Sequence, residues 1–296
     1  MTTPIRRPRW ATFLAVALVA TLVATVRPDA GEPAAAVNAP QSPINPDTLS
    51  SYPTPTGGVI GFTQSSIANQ SWQVRDFTQV GDRVFVGGSF TQVVSSPFAG
   101  AQTWDQPFLA AFDVNTGNYI PTWTPTLDDV VWSLQSHNGL LYVGGEFDTV
   151  NGTARQGLVA LDPITGAIDP TFAAEIDNVD TDFEAAVRDL HIEGGDLYVV
   201  GEFNRLVDAF FGHGRYSSAR VDVTTGRVDS AWIPRPTGGG VFAVDSDPAR
   251  GRVILAGSFE SVDASPDTDN GAVVSHVDGS LLLDGDGNVA FPMPLN

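Results

Sequence analysis

At 296 residues the chain has room for one large or two ordinary domains, and its 42% hydrophobic content with 17 Phe can build a core. Thirty Gly and 21 Pro, without long helical runs, point to a loop-rich β protein. The 34 acidic residues against 15 basic ones give −19, which argues against nucleic acid or anionic membranes as partners, and the lack of Cys removes disulfides, thiol catalysis and thiolate metal sites.

The N-terminus has three parts. "MTTPIRRPRW" carries Arg6, Arg7 and Arg9, the apolar run "ATFLAVALVATLVATV" spans 11–26, and Ala34 and Ala36 form an A-x-A site. This is the grammar of a secretory signal peptide over 1–36, and the run is short for a spanning helix of about 20 residues. The expected location is therefore secreted or cell surface, with no membrane insertion after cleavage. An uncleaved anchor is the alternative. Residues 37–57 hold five prolines and read as an extended linker. A repeat domain is expected over 58–296.

Within that domain one string recurs four times: "GDRVFVGGSFTQV" (81–93), "HNGLLYVGGEFDTV" (137–150), "GGDLYVVGEFNRLV" (194–207) and "RGRVILAGSFESVD" (250–263). The phenylalanines Phe90, Phe147, Phe203 and Phe259 are spaced by 57, 56 and 56 residues. Ahead of each copy stands a short strand: "VRDF" (74–77), "VWSL" (131–134), "VRDL" (187–190) and "VFAV" (241–244). After it come a variable loop and a third strand within 108–113, 157–162, 217–222 and 273–278. Tight turns then lead to a fourth strand over 118–123, 167–172 and 227–232. In the last unit the "TG" turn is missing, and "GSLLLDGDGNVAFPMPLN" takes its place.

β-Branched and aromatic strands with Gly, Asn and Asp at the reversals are hairpin chemistry. Four short antiparallel strands per unit, repeated without helices, predict an all-β β-propeller of about four four-stranded blades. A lone blade leaves both faces wet, so each must stack on a neighbour. Gly88, Gly145, Gly201 and Gly257 are expected to permit close approach or a bulge, and the four phenylalanines to be buried between blades. A closed ring with "GGVIGF" (57–62) pairing at the seam is the expected arrangement, an open array the alternative.

The strings "LYVGGEF" and "GLVALDPITGAIDPTF", with their counterparts over residues 67–278, resemble the delta-60 repeat β-propeller family of secreted and surface bacterial proteins. The resemblance implies a propeller fold and an extracellular setting. It implies no reaction and no catalytic residue.

The long connections follow the phenylalanines and join the units, and in up-and-down blades both sets emerge on one face, the usual binding face of a repeat protein. That face is acidic, with Asp128, Asp129, Asp180, Asp182 and Glu184 on it. Trp104, Phe210 and Phe211 are candidates to stack on sugar rings. "DGDGN" places Asp284, Asp286 and Asn288 at alternate positions, the spacing of the first ligands of a Ca²⁺ loop, without the Gly and Glu that complete one. The plain reading is a tight turn and solvated acidic loops.

No nucleophile elbow, zinc-protease motif or shared histidine spacing is present, so no catalytic residue is assigned. The expected function is a non-catalytic extracellular module that binds a glycan or a protein, or serves as a scaffold. The alternatives are a carbohydrate-active hydrolase or lyase using loop carboxylates and a purely structural surface protein. Finally, Arg75-Asp76 and Arg188-Asp189 occupy matching places in the first strands of units one and three, and each arginine is expected to pair with a carboxylate, Asp76 or Asp189 being the first candidates.

Overall fold

The computed structural model describes residues 58–60, 74–95, 100–179, 183–265 and 268–289, with 58–60 as backbone only. The expected signal peptide (1–36), the whole of the expected linker (37–57), Asp180 and Asp182 lie outside them. The described residues belong to one unit, Thr54–Asn296, and form an all-β array of small antiparallel sheets.

Four three-stranded sheets carry the repeat. The first has a leading strand Val74–Val80, a middle strand Arg83–Gly88 and a third strand Leu109–Asp113. The second uses Val131–His137, Leu140–Gly145 and Leu158–Leu161. The third uses Ala186–Glu193, Asp196–Glu202 and Ser218–Asp222. The fourth uses Val241–Asp247, Arg252–Gly257 and Gly271–Ser275.

The expected fourth strands are corrected. Tyr119, Ile168, Val228 and Leu281 each make a single bridge to the third strand and go no further. Pro121 and Pro170, which have no amide to donate, interrupt two of these segments. In the first three units the segment instead turns away to deliver an aromatic wedge. Trp123 packs edge-on against Phe85 with centroids 4.7 Å apart, Phe172 against Tyr142 at 5.4 Å, and Trp232 against Tyr198 at 5.2 Å. The Trp123 indole donates to the Asp162 carbonyl and the Trp232 indole to that of Ser275, so these wedges tie each sheet to the next.

The connections after the phenylalanines are also more regular than the sequence suggests. They pair with the segments between units into a second row of small sheets. Gln92–Val94 pairs with Gly58–Ile60, Arg205–Val207 with Glu175–Asp177, and Ser261–Val262 with Pro236–Thr237, while Leu127 bridges Val150. Gly58–Ile60 therefore pairs inside the first unit, not with the last one. The final turn also keeps the shape of the others: Gly279, at φ +78°, donates to the Ser275 carbonyl as Gly117, at φ +69°, donates to that of Asp113.

Consecutive sheets stack through their leading strands, with each middle strand also lying on the next leading strand. Buried clusters span these junctions, and Phe90, Phe147, Phe203 and Phe259 are all buried. The first glycine of "GG" sets the inter-sheet distance: a Cβ on Gly87 or Gly144 would lie 2.4 Å from Val131 or 2.5 Å from Val187 of the following sheet. Side chains seal the same junctions. Asp76 Oδ2 accepts the Leu134 amide at 2.7 Å, Ser133 Oγ accepts that of Leu190 at 3.1 Å, and Asp189 Oδ2 accepts that of Val244 at 2.9 Å.

Candidate functional site

Each leading strand carries a register shift at its second residue, between Val74 and Asp76, Val131 and Ser133, Val187 and Asp189, and Val241 and Ala243. A bulge re-aims the side chain it releases. Here it sets Arg75, Trp132, Arg188 and Phe242 at the same place in four successive sheets. The glycine opposite is required: a Cβ on Gly145, Gly201 or Gly257 would stand 2.3, 1.9 or 2.2 Å from a carbonyl oxygen.

Three of the released side chains form a stack. The Arg75 guanidinium lies 4.2 Å from the centre of the Trp132 ring and that of Arg188 4.4 Å from it. Beside them stand Glu146 and Glu202, matching positions just after the glycines. Glu146 Oε1 accepts from the Trp132 indole at 3.0 Å and pairs with Arg188 at 2.7 Å. Arg188 also donates from Nε to Glu202 at 2.8 Å and pairs with it through Nη2. Burial pushes the Glu146 carboxyl up, with Arg188 and the indole drawing it back down.

Arg188 pairs with carboxylates as expected, but its partners are Glu146 and Glu202, and the candidates Asp76 and Asp189 are corrected. Both aspartates are used on backbone amides at sheet junctions, and Arg188 takes glutamates from two middle strands instead. Among the described residues Arg75 forms no ion pair with a carboxylate: its Nε and Nη2 are buried without hydrogen-bond partners there, and burial followed by the Arg188 charge lowers its affinity for the proton, with Glu146 opposing.

Glu202 also lines a cleft of about 590 Å³, together with Asn178, Phe183, Glu184, Phe203, Asn204, Ser217 and Gly238–Gly240. Phe183 is 82% exposed. Glycine keeps the opposite wall open, since a Cβ on Gly240 would come within 2.7 Å of Glu202 Cγ. Asn178 donates its amide to the carbonyls of Phe183, Glu184 and Glu202, holding the rim.

Of the ligand candidates read from the sequence, only Glu184 among the described ones reaches this cleft. Trp104 is half-buried on its own hairpin, its ring 5.0 Å from Tyr119. Asp128 braces its loop, accepting from the amides of Asp148 and Thr149 and from the Thr149 hydroxyl. Asp129 is half-buried, and burial raises its carboxyl. Phe210 and Phe211 are exposed at the tip of the Arg205–Gly214 hairpin, 6.5 Å apart, where Asp208 accepts both their amides. Asp284 accepts the amides of Asp286 and Asn288 within its own tight turn. Among the described residues, no group of three or more His, Cys, Asp or Glu is gathered to hold a metal ion.

Residues missed as ligand candidates were Trp132, Glu146, Glu202 and Phe183. The repeat does mark the first three: Trp132 stands where Arg75 and Arg188 stand, and Glu146 and Glu202 stand where Ser89 and Ser258 stand. Among the described residues no helix is long and apolar enough to cross a membrane.

Compared with known proteins, the chain matches no family model and no curated protein. Solved structures do match, 113 chains among them. One is the crystal structure of the computationally designed Ika8 protein, 11% identical, with 74% of this chain and 76% of that chain covered and a TM-score of 0.37.

Proposed function

We propose that this chain is a non-catalytic extracellular β-propeller of about four blades, acting as a binding or scaffold module. The observation that carries the reading is the cleft at the bulged ends of the leading strands, where an exposed Phe183 stands beside Glu184 and Glu202. Its volume of about 590 Å³ suits a small ligand or a short stretch of a longer one. An aromatic face with carboxylate acceptors fits a hydroxyl-rich neutral or amino sugar, and the acidic surroundings disfavour anions. The row of paired connections frames this end of each sheet, in keeping with a ligand face built by the long loops. A glycan array on the protein, with and without Ca²⁺, tests the reading. Sugar binding should fall at least tenfold in Phe183→Ala and in Glu202→Gln. A chain that captures no glycan, or variants that bind as well as the parent, would overturn it.

The extracellular part of the proposal rests on the N-terminal signal grammar. Mass spectrometry of the exported protein should find Val37, or a residue within a few positions of it, as the new N-terminus. Intact Met1 in the membrane fraction would establish an anchor. A hydrolase reading draws on one fact, a carboxyl at Glu146 raised by burial as a general acid requires. Sugar release abolished by Glu146→Gln would favour it.

A further inference from the structure

One rule governs contact between consecutive sheets, and it is seen three times. The middle strand of one sheet lies on the leading strand of the next. The receiving positions are covered each time: Val131 and Leu134, Val187 and Leu190, Val241 and Val244 are all between 0% and 7% exposed. Pro163 and Val223, which open the turns after the third strands, are buried as well.

The first sheet breaks the rule. Its matching residues Val74, Phe77 and Val114 are 47%, 69% and 39% exposed. At the other end of the stack Ile254 takes the place held by Phe85, Tyr142 and Tyr198, which are buried, and is itself 41% exposed. Ala256 stands where Gly87 and Gly144 receive the next sheet. Among the described residues, one face thus lacks the middle strand that covers it elsewhere, and the other lacks the leading strand that it covers elsewhere.

We propose that these two faces meet between copies: the first sheet of one chain, through Val74, Phe77 and Val114, docks head to tail on the fourth sheet of a second copy, at Ile254 and Ala256. The occupant is identified by the three internal junctions, which show what such a face accepts. The chain's own fourth sheet does not cover Phe77 in this structure. Two copies supply eight sheets, within the usual size of a propeller ring, and a head-to-tail contact closes when the rotation allows. The junction is weaker than the internal ones. Ala243 offers no acceptor where Asp76 and Asp189 stand, and Gly285 replaces the aromatic wedge. Association is therefore reversible, and the net charge of −19 opposes it, so added salt strengthens it. The inference rests on sheet stacking and is independent of the ligand reading.

Sedimentation velocity of the full chain over a concentration series, at low and high salt, tests it. The expected result is a rise from one chain mass to two with concentration. Phe77→Asp and Ile254→Asp each alter an exposed residue, and each alone should hold the protein at one chain. Mixed together, the two variants should recover a two-chain species, because each retains the face the other has lost. A single-chain mass at every concentration and salt overturns the proposal. So does a two-chain species that survives both substitutions. Single-chain mass with a melting temperature lowered by either substitution would instead show closure within one chain, and overturns it too.

Discussion

Arg188 joins two middle strands, and replacing it by methionine isolates what that junction contributes. Methionine keeps much of the apolar stem against Trp132 and removes the charge. Breaking a fully buried ion pair costs about 3–5 kcal/mol, and a charge-assisted hydrogen bond is worth about 1.5–3 kcal/mol. The Arg188 and Glu146 side chains are 17% and 9% exposed, so the lower range applies. Glu202, at 41%, is rescued by water. Loss of the cation–π contact adds about 0.5–1 kcal/mol. Arg188→Met should therefore cost about 2–4 kcal/mol at neutral pH, a melting temperature lower by roughly 4–16 °C for a domain of this size.

The deficit has a pH signature. Burial already holds the Glu146 carboxyl above its ordinary range, and Arg188 is what draws it down. A carboxyl raised on folding contributes stability that is present below its unfolded value and lost as pH rises through the folded one. Without Arg188 the carboxyl rises further. The gap between parent and variant should then be widest at neutral pH and shrink toward about 1 kcal/mol as pH falls to the ordinary glutamate value of about 4.3. Adding Glu146→Gln should recover most of the loss at neutral pH. Denaturant melts across that pH range measure both effects. A gap that stays constant with pH, or a double variant no better than the single one, would refute the charge argument.

Phe147→Ala should cost about 3–5 kcal/mol by chemical denaturation, as truncation of a fully buried aromatic does; a variant melting within a degree or two of the parent would remove Phe147 from the core. Gly144→Val places a side chain where a Cβ alone would stand 2.5 Å from Val187, so thermal melts should show a loss of about 1–3 kcal/mol. Asn115→Ser, in an exposed turn, is the control for that measurement and should change stability little. Asp189→Ala leaves the Val244 amide without its acceptor at the third junction and should cost about 1–3 kcal/mol, with hydrogen exchange at Val244 rising more than at Leu134.

The sequence by itself determined the repeat. Its period, the strand order within each unit, the buried phenylalanines and the glycines at the bulges were legible because each reflects a local rule: alternation along a strand, turn chemistry, or the absence of a Cβ where backbones meet. The paired connections were not legible, since Gln92–Val94 and Gly58–Ile60 are short, lie far apart in the chain and carry no alternation long enough to read. The truncated fourth strands were hidden for the opposite reason. Tyr119 and Trp123 look like strand residues, but burying the Trp123 ring between sheets outweighs continuing a ladder that Pro121 interrupts. The pairing within the site was decided by tertiary structure. Arg188 was visible as a charge that needed a partner, yet the choice of Glu146 and Glu202 over neighbouring Asp189 depends on stacking. Alternate residues of a strand point to opposite faces, so Asp189 turns into the sheet junction and finds the Val244 amide, while the bulge turns Arg188 out toward glutamates carried on two different middle strands.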